Sequence, residues 1–139
     1  MDNFSALLQL MNPNNTMSVN RYLAHSMGMA ETIIYSALIS KYTYYRDNGK
    51  ASDGWFYSTI EDLQESTTYG RKVQTTAINK LVGYGLIESK LMGMPAKRYF
   101  RLISDTDKLA ALIEQGQEIC AGMRKKAQSE TEKLSLIHI

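Results

Sequence analysis

The sequence predicts a mainly α-helical protein with one small antiparallel β element. Three observations predict it. Two short stretches with helical spacing of apolar residues, 59–65 and 71–84, are separated by hydroxyl residues and a glycine. An alternating apolar/polar stretch follows over 86–103, interrupted by Gly93-Met94-Pro95-Ala96. Longer helical patterns flank this block, one over about 29–46 and one from about 106 onward. Alternation means a strand, because successive side chains point to opposite faces, whereas a spacing of three and four means a helix.

In chain order, residues 1–17 open with an apolar cluster (Phe4, Leu7, Leu8, Leu10, Met11) followed by Asn12-Pro13-Asn14-Asn15. They are read as an N-terminal arm or a short helix. A minor-groove role is rejected, because no Arg or Lys precedes Arg21 and such arms read the groove with basic side chains. Ser18 or Asn20 caps a short helix running through His25, and Gly28 separates it from the next. Over 29–46, Ile33, Ile34, Ala37, Leu38, Lys41, Tyr42 and Tyr45 recur at helical intervals with only Lys41 polar, which marks a central buried helix. Tyr35, Tyr42, Tyr44 and Tyr45 read better as edges of that core than as a stacking platform for single strands. A polar loop over 47–54 leads into Trp55-Phe56-Tyr57, a short strand expected beside the hairpin as the sheet's hydrophobic seam.

Ser58 with Glu61 three residues later has the spacing of a capping box opening a helix from Thr59 to Glu65, with Ile60 and Leu63 inward. Ser66-Thr67-Thr68-Tyr69-Gly70 breaks the pattern, since hydroxyl side chains compete for backbone bonds. A second helix runs from Arg71 to about Tyr84, and Gly85 stops it by taking the left-handed position without a Cβ clash. Val73, Ala77, Ile78 and Leu81 form its core face. The opposite face holds Arg71, Lys72, Thr75, Thr76 and Asn79 and no carboxylate. Bases, hydroxyls and an amide without acids suit phosphates and base edges; the competing reading is a simply solvated face. In the hairpin, Ile87, Ser89 and Leu91 share one face and Glu88 and Lys90 the other. Phe100 and Leu102 return inward, Lys97, Tyr99 and Arg101 outward, and Lys97 and Arg98 stand at the tip. Helix, sharp turn, helix and basic hairpin together are the grammar of a winged helix-turn-helix with a β wing, placed at 18–104.

The run Trp55-Phe56-Tyr57, Ser58-Thr59-Ile60-Glu61-Asp62-Leu63, Ala77-Ile78-Asn79-Lys80-Leu81, Gly85-Leu86-Ile87 and Pro95-Ala96-Lys97-Arg98-Tyr99-Phe100 resembles the winged helix domain of phage and plasmid replication proteins. Replisome organisers and DnaD-type amino-terminal domains are the nearest group, and the resemblance covers roughly Val19 to Ile103. It implies a second helix reading the major groove of double-stranded DNA through Arg71, Lys72, Thr75, Thr76 and Asn79, with Lys90, Lys97 and Arg98 clamping backbone. One departure stands out: Tyr69-Gly70 replaces the usual aliphatic residue and Ser or Thr, so the helix start lacks a capping side chain, a loss of up to about 1 kcal/mol.

The net charge of +2 conceals a division. Residues 71–101 hold seven bases and one acid, a balance of +6, while the remainder holds nine bases and thirteen acids, a balance of −4. Local charge sets the field at a binding face. A single Cys120 excludes an internal disulfide and fits a reducing compartment. His25 and His138 have no ligand spacing, so no metal or other cofactor is expected. Neither a basic leader nor a long apolar run is present, so the expectation is a soluble cytoplasmic protein without membrane contact.

After Ser104 or Asp105 as cap, a C-terminal amphipathic helix over 105–133 carries Leu109, Leu112, Ile113, Gly116, Ile119, Cys120 and Met123 in one stripe. The stripe either folds back on the domain or pairs with a second copy; a homodimer is favoured, because two half-sites add their binding energy. Residues 134–139 turn abruptly apolar, resemble translated adapter read-through, and are set aside as non-native. No phosphate loop, nucleophile–His pair or paired carboxylates are found, so an enzyme is not expected. The leading expectation is a sequence-specific DNA-binding protein of phage or plasmid replication initiation. The alternatives are a transcriptional regulator of the same fold, or a winged helix that contacts a helicase, a loader or another nucleoprotein.

Overall fold

The computed structural model describes residues 2–11, 16–49 and 53–137. The Asn12-Pro13-Asn14-Asn15 break, part of the 47–54 loop, and His138 and Ile139 lie outside them. Among the described residues, six helices, α1 (Asn3–Leu10), α2 (Arg21–Met27), α3 (Met29–Asp47), α4 (Ile60–Thr67), α5 (Arg71–Gly83) and α6 (Asp107–Ile137), accompany three strands, β1 (Phe56–Tyr57), β2 (Ile87–Met92) and β3 (Lys97–Leu102). The strands form one antiparallel sheet in the order β1-β3-β2. The chain is therefore mostly helical with a small sheet, an arrangement consistent with a winged helix followed by a C-terminal helix.

Local chemistry accounts for most element boundaries. Asn20 caps α2, its side-chain oxygen accepting from the Leu23 N–H at 3.0 Å. The capping box exists one residue later than the spacing of Ser58 and Glu61 predicts. Thr59 Oγ1 accepts from the Asp62 N–H at 3.0 Å, and the Asp62 carboxylate accepts from the Thr59 N–H at 3.3 Å. Ser58 is instead fully buried, and its N–H bonds the Arg98 carbonyl, joining β1 to β3. Helix α4 also extends two residues past Glu65, and the buried Thr67 satisfies its hydroxyl on the Leu63 carbonyl. Thr68 then takes the left-handed conformation, with φ 72°, that ends the helix.

Helix α3 is the centre of the core. Ile34 and Leu38 are wholly buried within it, against Leu63 of α4, Ala77, Ile78 and Leu81 of α5, and Phe56 and Phe100 of the sheet. Its buried face also includes Glu31, Thr32 and Tyr35, so it is more polar than the apolar spacing implies. Thr32 donates its hydroxyl to the Gly28 carbonyl, and the Glu31 carboxylate meets Lys80 of α5 at 3.1 Å. On the sheet, Ser89 and Phe56 both face Phe100, and Ile87 faces Leu102, which closes the inner face.

The stripe of α6 is used within the chain. Leu112, Gly116 and Cys120 are buried, and the helix lies along α2 so closely that a Cβ on Gly116 would fall against the Tyr22 backbone. Only a residue without a side chain permits that approach. Met123, the last member of the stripe, is exposed, as are residues 121–135 throughout. Helix α1 is formed, with Asp2 as its cap, but none of its residues is buried.

Candidate nucleic-acid interface

Helix α5 is held in place by one buried amide. Gln74 is wholly inaccessible; its Nε2 donates to the Ile60 carbonyl at 2.9 Å and to the Tyr69 carbonyl at 2.8 Å. It thus ties α5 to α4 and to the turn between them. Its Oε1 accepts from Arg98 Nη2 at 2.8 Å, which adds β3 to the same knot. Val73, expected inward, is exposed, and Gln74 takes its place in the core face. The signal was present: Gln74 precedes Leu81 by seven residues, almost two full turns, and so shares its direction. Polarity alone argued against it.

The outward side of α5 carries Arg71, Lys72, Thr75, Thr76 and Asn79, all exposed. Thr75 donates its hydroxyl to the Arg71 carbonyl at 2.9 Å, leaving the oxygen's lone pairs outward. Lys80 is neutralised by Glu31, but none of the five has a carboxylate within ion-pair distance among the described residues. At the helix start Gly70 supplies no capping side chain, and no acid occupies the first turn. The free N–H groups there carry the positive end of the helix dipole.

Arg98 does not reach out from the wing tip. It pairs across the hairpin with Leu91 on the sheet's inner face, where its guanidinium lies 5.1 Å from the Phe100 ring centre and runs back to Gln74. Its Nε is buried without a hydrogen-bond partner among the described residues. Burial, and then the neighbouring Arg71 charge, lower its pKa from the ordinary arginine value, while Glu61 opposes them. Two arginines thus converge near the start of α5, one of them partly desolvated and, among the described residues, with its guanidinium hydrogen-bonded only to a neutral amide. Such a cation gains strongly from an anion.

Lys90 and Lys97 stand on the other side of the sheet. Lys90 Nζ lies 3.9 Å from the centre of the Trp55 ring and Lys97 Nζ 4.8 Å from that of Tyr57. The eight residues singled out from sequence therefore divide into three groups: five on α5, Arg98 leaning toward them, and two lysines on the far face of the wing. Among the described residues no cluster of His, Cys, Asp and Glu has the makings of a metal site, and no helix is long and apolar enough to cross a membrane.

Two solved structures share this fold. One, described as the N-terminal domain of a DNA binding protein, is 17% identical with a TM-score of 0.54, over 84% of this chain and 95% of that one. The other, a Rep–DNA complex, is 16% identical with a TM-score of 0.55, over 79% of this chain and 92% of its own. At such identities the likeness is one of architecture. No protein-family model matches the chain, and no curated protein does.

Proposed function

We propose that this protein binds double-stranded DNA in a sequence-dependent manner through α5. The observation that carries the reading is the exposed, carboxylate-free ridge of Arg71, Lys72, Thr75, Thr76 and Asn79. In this reading α5 enters the major groove, where Thr75, Thr76 and Asn79 meet base edges; an amide of the Asn type pairs bidentately with adenine. Arg71 and Lys72 engage a base or the flanking phosphates. Arg98, beside the open start of α5, completes a phosphate seat, since helix N-termini and arginines both favour such anions. Lys90 and Lys97, expected from sequence to clamp backbone, lie on the far face of the wing against Trp55 and Tyr57 and are not part of this seat. Initiation of phage or plasmid replication is the process proposed, supported by the architecture shared with a Rep–DNA complex. An operator-binding regulator would use the same surface.

A second reading, contact with a protein such as a helicase or loader or with a second copy, has one observation in its favour. Phe4, Leu7, Leu8, Leu10 and Met11 of the N-terminal segment are all more than half exposed, an apolar surface of the kind that marks interaction sites. Selection of bound duplexes from a random pool, followed by fluorescence anisotropy over a salt series, tests the first reading. A consensus site and an affinity that falls steeply with salt are expected. Failure to bind any duplex, or binding indifferent to salt, refutes it; a nuclease-resistant protein complex would then support the second.

A further inference from the structure

The outer face of the sheet is a second basic surface, turned away from α5. The register puts Tyr57, Tyr99 and Lys90 in one row across all three strands, and Glu88 opposite Arg101 in the next. The Tyr57 and Tyr99 rings are 5.8 Å apart, and Tyr45 at the end of α3 adds a third ring 6.2 Å from Tyr57. Trp55 is flanked by Lys90 and by Arg101, whose guanidinium carbon is 4.8 Å from the ring centre. These four aromatic residues are only partly buried, and a shallow hollow runs between them toward Met92 and Gly93. A buried seam between sheet and core would hide the rings. Phe56 and Phe100 are the hidden rings of the sheet among the described residues, and they face the other way.

We propose that this face binds an unpaired strand of nucleic acid, with bases stacked on Trp55, Tyr57 and Tyr99 and phosphates held by Lys90, Lys97 and Arg101. The rings line a hollow at the surface, the faces of Trp55 and Tyr57 now covered by cationic side chains, and a base can use such rings only when it is unstacked, so a closed duplex is the wrong ligand. The charge pattern fits a polyanion threading between rings. Three cations are interleaved with the aromatic groups against two acids, Glu88, held by Arg101 at 2.8 and 3.0 Å, and Asp53, exposed at the edge of the hollow, which leaves the face net positive. Lys90 and Lys97 now cap the rings; an arriving base displaces each ammonium by a short swing to the adjoining phosphate. The proposal does not depend on α5, which faces the opposite side of the wing.

The chain reports on this site itself, because Trp55 is its one tryptophan. Titration with a mixed-sequence DNA oligonucleotide, an RNA of the same sequence and a blunt hairpin duplex, read by Trp55 quenching and by anisotropy of the labelled strand, tests the inference. Quenching by either single strand and none by the hairpin is the expected result. Tyr99→Leu, which keeps the bulk and removes the ring, should weaken single-strand binding about tenfold, and Lys90→Ala should weaken it too. Asn79→Ala should leave it intact while lowering duplex affinity, so failure of either surface is recognised separately. Circular dichroism confirms that each variant is folded, and Tyr57→Leu serves if Tyr99→Leu is not. No quenching by a single strand, equal quenching by the hairpin, displacement by polyglutamate as effective as by the oligonucleotide, or unchanged affinity in the folded ring variant would overturn it.

Discussion

Replacing Gln74 by Met tests whether one amide holds the candidate reading helix in register. Methionine has nearly the same length and is at ease in an apolar interior, so the change removes hydrogen bonds without opening a large cavity. Three are lost: those to the Ile60 and Tyr69 carbonyls and the one from Arg98. Two neutral bonds at about 1 kcal/mol each, and one to a charged donor at about 2 kcal/mol, give a loss of about 4 kcal/mol. The gain from burying a thioether in place of an amide lowers this to about 3 kcal/mol. That is a large part of the roughly 5–15 kcal/mol by which a domain of this kind is stable. Urea unfolding followed by Trp55 fluorescence should show a lower midpoint with an unchanged slope. In a double-mutant cycle with Arg98→Met, the pair should couple by about 2 kcal/mol, because the second change removes the group that the first leaves unpaired. A Gln74→Met protein within about 0.5 kcal/mol of the parent, the range of an ordinary surface substitution, or a coupling near zero, would refute the reasoning.

The remaining predictions use other parts of the molecule. Gly116→Ala should destabilise by about 1–3 kcal/mol because its methyl group meets the Tyr22 backbone. Gly122→Ala, on the same helix with open space around it, should stabilise by about 1 kcal/mol, and thermal unfolding of the two variants shows whether the signs differ. In binding assays Asn79→Ala should relax sequence preference by about 1–3 kcal/mol, whereas Lys72→Ala should weaken all duplexes alike and reduce the salt slope by about one unit. Asp62 has its pKa lowered first by the hydrogen bond from Lys41, with the Thr59 N–H assisting and burial opposing. A carboxylate depressed in the folded state stabilises above its unfolded pKa, and that contribution is lost as pH falls below the ordinary 3.8 through the folded value. For a pair this exposed the effect is about 0–1 kcal/mol. Asp62→Asn should therefore lower the urea midpoint by that small amount at neutral and higher pH and leave it unchanged at the acid end, so that the acid limb of the stability–pH curve is flatter.

Much of this fold was legible in the chain, because the signals concerned are local. The order of helices, the turn before Arg71, the stop at Gly85, the three strands and the alternation within the hairpin all follow from spacing and from glycine. The exposed face of α5 was legible for the same reason: a helix presents residues three and four apart together, whatever surrounds it. Errors fell where two neighbouring residues competed for one role. Ser58 and Thr59 both have hydroxyls, and Glu61 and Asp62 both have carboxylates, so the motif fits either register until the sheet claims the Ser58 N–H. Val73 and Gln74 competed for one core position, and polarity favoured the wrong one because the partners that satisfy the Gln74 amide lie on three other segments.

Residue types and their intervals, by themselves, determined which segments coil, which extend and where the positive charge gathers, since each depends on neighbours within a few positions. Only the packed chain decided where long side chains and amphipathic stripes go. Arg98 turns back to Gln74, Lys90 and Lys97 settle on aromatic rings, and α6 closes on α2 through Gly116, while no residue of α1 is buried. These outcomes depend on partners brought together from distant parts of the chain, and a flexible or two-sided group takes whichever partner the fold puts within reach.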